Sequence, residues 1–99
     1  MGPLAIGLES GFDDDHVVVE IDDRTVLDDA HVSTRYQVGF ARMLEVPTDA
    51  AEVRVGVRLP SRRVAGETTV QVAECPTLRV SVENGEVVFS AGDTPLYYA

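Results

Sequence analysis

The chain has 99 residues, 17 acidic and 8 basic, for a formal net charge of −9, and 44% of it is apolar. That is one domain's length, too apolar for a disordered acidic tail, and no run approaches the roughly 18 to 20 apolar residues of a membrane span. The acidic surplus argues against nucleic acid and against an anionic membrane surface, both of which need a face rich in Lys and Arg.

In chain order, Leu4-Ala5-Ile6-Gly7-Leu8 is a short apolar stretch that suits an edge strand. His16 to Ile21 reads as a strand, Asp22-Asp23 as a polar turn, and Thr25-Val26-Leu27 as the return. Val32 to Tyr36 and Val38 to Val46 follow as strands, the second ended by Pro47. Thr48 to Glu52 has the composition of a single helical turn. Glu52 to Leu59 alternates strictly, with Val53, Val55, Val57 and Leu59 on one face and Glu52, Arg54 and Arg58 on the other. A strand with a core on one side and water on the other has this period of two. Thr68 to Ala73 alternates less cleanly. Leu78 to Glu83 alternates again, and Asn84-Gly85 then supplies a two-residue hairpin signal leading into Val87-Val88-Phe89. About eight short strands without helical periodicity predict an all-β, antiparallel two-layer sandwich. The pattern is similar to immunoglobulin-like or jelly-roll modules. Parallel α/β folds lack room for their crossover helices. One domain over 1–99 is expected, with looser ends at 1–11 and 91–99.

The charge is uneven. Glu9, Asp13, Asp14, Asp15, Glu20, Asp22, Asp23, Asp28 and Asp29 stand against Arg24 alone between residues 9 and 29, a net of −8. In a hairpin that goes out and back, Asp13, Asp14 and Asp15 meet Asp28 and Asp29 at one end. Three readings follow. The carboxylates are solvated turn residues. Or Asp13, Asp15, Asp28 and Asp29 hold Ca²⁺, which takes six to eight oxygens, although no EF-hand spacing is present. Or Asp13, Asp14, Asp15, Asp28 and Asp29 dock a protein partner with a basic surface. His16 and His31 lie beside these carboxylates, either as exposed strand-start residues or as two nitrogen ligands for a transition metal.

Elsewhere the chemistry is sparse. Cys75 is the one cysteine, beside Glu74 and with no activating base in sequence, so it reads as a buried structural residue. A single cysteine and no export signal suit a reducing cytoplasm. Gly39, Gly56 and Gly66 are isolated, suggesting bulges or close packing. Arg58, Arg62 and Arg63 form the one basic concentration, and an acidic tip with a basic loop is a route to a head-to-tail homo-oligomer. No nucleophile, base and oxyanion-binding set can be assembled, so the chain is expected not to be an enzyme.

The C-terminus is Leu96-Tyr97-Tyr98-Ala99. Its last three residues resemble the hydrophobic–Tyr–any-residue tail with which several proteasome activators dock into pockets on the proteasome ring. The resemblance covers three residues and implies Tyr97 in the hydrophobic position, Tyr98 as the key tyrosine and Ala99 as the carboxylate. The plainer reading pins Leu96 and Tyr97 onto the sandwich as a last strand. The leading expectation is a non-enzymatic protein-interaction module that uses its acidic hairpin end or an edge strand. A Ca²⁺-assisted carbohydrate-binding module is the alternative, weakened by the absence of Trp and by three Tyr in all.

Overall fold

The structure, a computed structural model, describes residues 3–34 and 41–92. Eight strands run in chain order: β1 (Leu4–Leu8), β2 (Asp15–Ile21), β3 (Arg24–Val32), β4 (Arg42–Val46), β5 (Glu52–Leu59), β6 (Val64–Gln71), β7 (Thr77–Glu83) and β8 (Glu86–Gly92). They form two four-stranded sheets, ordered β4-β1-β7-β8 and β3-β2-β5-β6. The molecule is the two-layer all-β sandwich that alternation predicts. All pairings are antiparallel except β1 with β7, which is parallel.

Alternation sets the core. Leu4, Ile6 and Leu8 of β1, with Leu78, Val80 and Val82 of β7, face Val17, Val19 and Ile21 of β2 and Val53, Val55, Val57 and Leu59 of β5. Each such side chain contributes about 1.5–3 kcal/mol by leaving water. β1 is a central strand, not the edge expected from its sequence. β4 and β7 flank it, and Leu4, Ile6 and Leu8 have no exposed surface. A five-residue stretch carries too little pattern to tell an edge from a centre. Only the second ladder, to β7, decides it.

Two hairpins close as the turn chemistry requires. Asn84 and Gly85 take φ of 53° and 75°, and Asp22 and Asp23 take 48° and 68°. Both central residues of a type I′ turn need this left-handed geometry, which Asn, Asp and Gly accept most readily. Several elements differ from expectation. Val32 closes β3, and Ser33 and Thr34 lie outside any strand, where a separate strand starting at Val32 was expected. β3 continues through Asp28 and Asp29 to Val32, where a polar break was expected. β6 begins at Val64, four residues early, after a 3₁₀ turn over Pro60–Arg62. Thr48 to Ala51 forms no helical turn.

The two lateral sides of the sandwich differ. On one, β6 comes close to β8: a Cβ on Gly66 would lie 3.0 Å from both Phe89 Cε2 and Val87 Cβ. Gly66 is therefore a close-packing glycine. On the other, β3 and β4 leave a hollow at each end of the seam between them.

Candidate partner-binding edge

The acidic segment divides into an anchored loop and an open strand. The loop Glu9–Asp14 carries the chain from one sheet to the other and is held at many points. The Val82 amide donates to the Ser10 carbonyl at 2.9 Å. Gly11, with φ of 89°, passes so close to β7 that a Cβ there would run into the Val82 carbonyl. Phe12 is buried in the core. Its amide donates to Thr34 Oγ1 at 3.1 Å, and that hydroxyl donates to the Glu9 carbonyl at 2.8 Å.

Asp15 ends this loop and is only 5% exposed. Arg62, on the 3₁₀ turn, binds it in a two-pronged ion pair: Nε to Oδ1 at 2.8 Å and Nη2 to Oδ2 at 2.6 Å. Arg62 Nη2 also donates to the Gly11 carbonyl at 3.1 Å, and the Asp13 amide donates to Asp15 Oδ2 at 2.8 Å. The acidic tip and the basic loop thus meet within one chain. Both oxygens of Asp15 are occupied by this structural work.

Asp28 and Asp29 lie inside β3, opposite Val18 and Val17 of β2. Neighbouring strand residues point to opposite faces. Asp28 accordingly meets His16, with Nε2 and Oδ1 2.6 Å apart. Asp29 turns to the other side and accepts from Arg42 Nη1 of β4 at 2.7 Å. Asp14 pairs with His31, Oδ1 to Nδ1 at 2.9 Å, and its amide donates to Ser33 Oγ at 2.7 Å. In a turn, Asp28 and Asp29 would both reach one centre. Their place in a strand separates them. Among the described residues, no three His, Cys, Asp or Glu side chains are grouped to hold a metal ion. The two histidines likewise meet separate carboxylates.

Arginines neutralise much of the remaining acid. Arg58 reaches Glu20 at 3.1 Å, Arg54 reaches Asp23 at 3.1 Å and Glu67 at 3.7 Å, and Arg79 reaches Glu9 at 3.5 Å. Asp22 has backbone work, accepting the Arg54 amide at 3.0 Å. Within the acidic segment the carboxylates that meet no arginine side chain are Asp13 and Asp14 at one end of β3, Asp28 on the strand itself and Asp22 at its hairpin turn. Elsewhere among the described residues Glu45, Asp49, Glu52, Glu74, Glu83 and Glu86 also meet none.

β3 is the outer strand of its sheet and, among the described residues, has a ladder on one side only. Two hollows lie between it and β4. One, of about 380 Å³, is polar and bordered by Asp14, Asp29, His31, Ser33 and Arg42. The other, of about 370 Å³, is more apolar, with Ile21, Val26, Val46 and Pro47 beside Asp22 and Arg24. Val26 is 37% exposed at its rim. This combination of edge, hollow and charge could not be read from sequence, because β4 is brought to β3 by the packing of two different sheets.

Cys75 is half-buried against the core, less enclosed than expected, and its amide donates to the Gln71 carbonyl at 2.7 Å. Tyr97, Tyr98 and Ala99, and with them the tail resemblance, lie outside the described residues, as does Gly39. Among the described residues, no helix is long and apolar enough to cross a membrane. Comparison with protein-family models, with curated proteins and with solved structures finds no match for this chain.

Proposed function

We propose that this chain is a protein-interaction module whose β3 edge receives an extended, basic segment of a partner. The observation that carries the reading is a nine-residue strand that, among the described residues, is paired on one side only, beside carboxylates, Asp13, Asp14 and Asp28, that meet no arginine. A strand added to such an edge gains main-chain hydrogen bonds, while pockets for alternate side chains supply selectivity. Asp28, Asp14 and Asp13 favour Arg or Lys on the incoming segment and speed its approach. The hollow bordered by Ile21, Val26 and Val46 suits one apolar side chain of that segment.

The test is a titration of the labelled full chain with an Arg-rich extended peptide, followed by NMR, beside an acidic peptide of the same length. The expected result is amide shifts along β3 and near Val46, saturable binding of the basic peptide alone, and an affinity that falls as salt rises. Shifts concentrated on another element, or equal binding of both peptides, would overturn the reading.

A further inference from the structure

We propose that Asn84 is a site of spontaneous deamidation in the folded chain, passing through a cyclic imide to aspartate and isoaspartate and loosening the β7–β8 hairpin. Asn84 is the sole asparagine of the sequence, and a glycine follows it. The reaction needs an amide side chain that nothing holds and a following backbone nitrogen free to attack it. It also needs little bulk on the residue that carries that nitrogen.

These conditions meet at this turn. Asn84 and Gly85 are both exposed. Among the described residues neither the Asn84 side chain nor the Gly85 amide has a hydrogen-bond partner, and the ladder closes at Glu83 and Glu86 on either side of them. A Cβ at Gly85 would meet nothing within 4 Å, so no neighbouring group walls off the nitrogen. A hollow of about 360 Å³, bordered by Arg63, Gly85 and Glu86, gives water a second approach.

The turn between β2 and β3 supplies a contrast inside the same fold. Asp22 and Asp23 share the left-handed geometry, but they are tied to β5. The Asp22 carboxylate accepts the Arg54 amide at 3.0 Å, and the Asp22 amide donates to the Arg54 carbonyl at 2.9 Å. Asp23 accepts from the Arg54 guanidinium at 3.1 Å. Asn84-Gly85 is held by strand pairing alone. It can therefore leave its left-handed geometry by a local opening at the hairpin tip, which costs far less than global unfolding.

The Gly85 nitrogen gives its proton to solvent base and attacks Asn84 Cγ. The Cγ–Nδ2 bond breaks, the nitrogen takes a proton from water, and ammonia leaves. Water then opens the imide at either carbonyl and restores the Gly85 N–H. Opening at Cγ gives aspartate, which a turn of this kind accepts, as Asp22 and Asp23 show. Opening at the main-chain carbonyl gives isoaspartate, which routes the backbone through Cγ and lengthens it by one methylene. A tight hairpin loop whose twist is matched to its strands loses that match. Either product adds a carboxylate between Glu83 and Glu86, where like charges already stand opposite one another.

Incubation of the full chain at mildly alkaline pH, followed by peptide mapping in a mass spectrometer and enzymatic methylation of isoaspartate, tests this. The expected result is an amide-to-acid mass gain confined to the peptide that holds Asn84, with isoaspartate among the products. Asn84→Gly keeps a turn-forming pair and removes the amide, and it should abolish the gain. The deamidated chain, separated by anion exchange, should show faster hydrogen exchange in β7 and β8 next to the turn, with β2 and β3 unchanged. No gain in the folded chain while the urea-unfolded chain deamidates would overturn the proposal, as would a gain that persists in Asn84→Gly. Unaltered exchange of β7 and β8 in the deamidated chain would overturn the loosening. Binding of a basic peptide at β3 does not enter this test, so the two proposals fail separately.

Discussion

Asp15 and Asp29 hold arginines at nearly the same distance, 2.6 Å and 2.7 Å, but they belong to different kinds of region. Asp15 closes a loop fixed by Gly11, Phe12 and Thr34, and it is almost wholly removed from water. It accepts two guanidinium hydrogen bonds and a backbone amide. Asp29 stands on an outer strand, its side chain 27% exposed, and faces an Arg42 that is 48% exposed. A pair in water gains little over its two hydrated ions, whereas removing one partner of a buried pair leaves a charge that nothing else satisfies. Counting acidic residues treats the two regions as one cluster. Burial separates a structural clamp from an open surface.

Four substitutions test that separation, beginning with the largest effect. Gly11→Ala would set a Cβ against the Val82 carbonyl at a positive φ, and should destabilise the fold by about 4 kcal/mol, read by urea unfolding. Asp15→Ala strands the Arg62 guanidinium against the crossing loop, and should cost about 3 kcal/mol. A domain this size would then melt roughly 12–24 °C lower in a calorimetric scan. Arg42→Ala removes the exposed partner of Asp29, and its cost should stay below about 1 kcal/mol and shrink in high salt. Loss of more than that would place the β3–β4 seam with the clamp rather than with the open edge. Asp28→Asn should change stability least, by about 0.5 kcal/mol or less, because the residue is exposed and its partner is a histidine. The same substitution should weaken basic-peptide binding severalfold in a calorimetric titration. An unchanged affinity would remove Asp28 from the proposed surface.

Much of the fold was legible because its signals are local. Val53, Val55, Val57 and Leu59 mark one face by alternation alone, and Asn84-Gly85 marks its turn by backbone chemistry alone. Asp28-Asp29 misled for a related reason. Two successive aspartates favour turns, but here tertiary pairing with β2 outweighs that weak preference and keeps the strand going to Val32. Gly66 was legible, like Gly39 and Gly56, as a glycine of either a bulge or close packing; that it is close-packed against Val87 and Phe89 was not. Gly11 was not singled out at all, since nothing near it in sequence announces Val82. The candidate edge was legible as acidic residues, but not as the side of the molecule where β3 stands beside β4.

Alternation and turn chemistry, which operate over a few residues, suffice for an all-β sandwich of about eight strands with one concentrated acidic region. The parallel pairing of β1 with β7, the approach of β3 to β4 and the capture of Asp15 by Arg62 join residues far apart in the chain. Long-range contacts form only where the whole core is satisfied at once, because the entropy of closing such loops has no local compensation. Packing of the two sheets thus decides which carboxylates are fixed inside the molecule and which are left to meet something outside it.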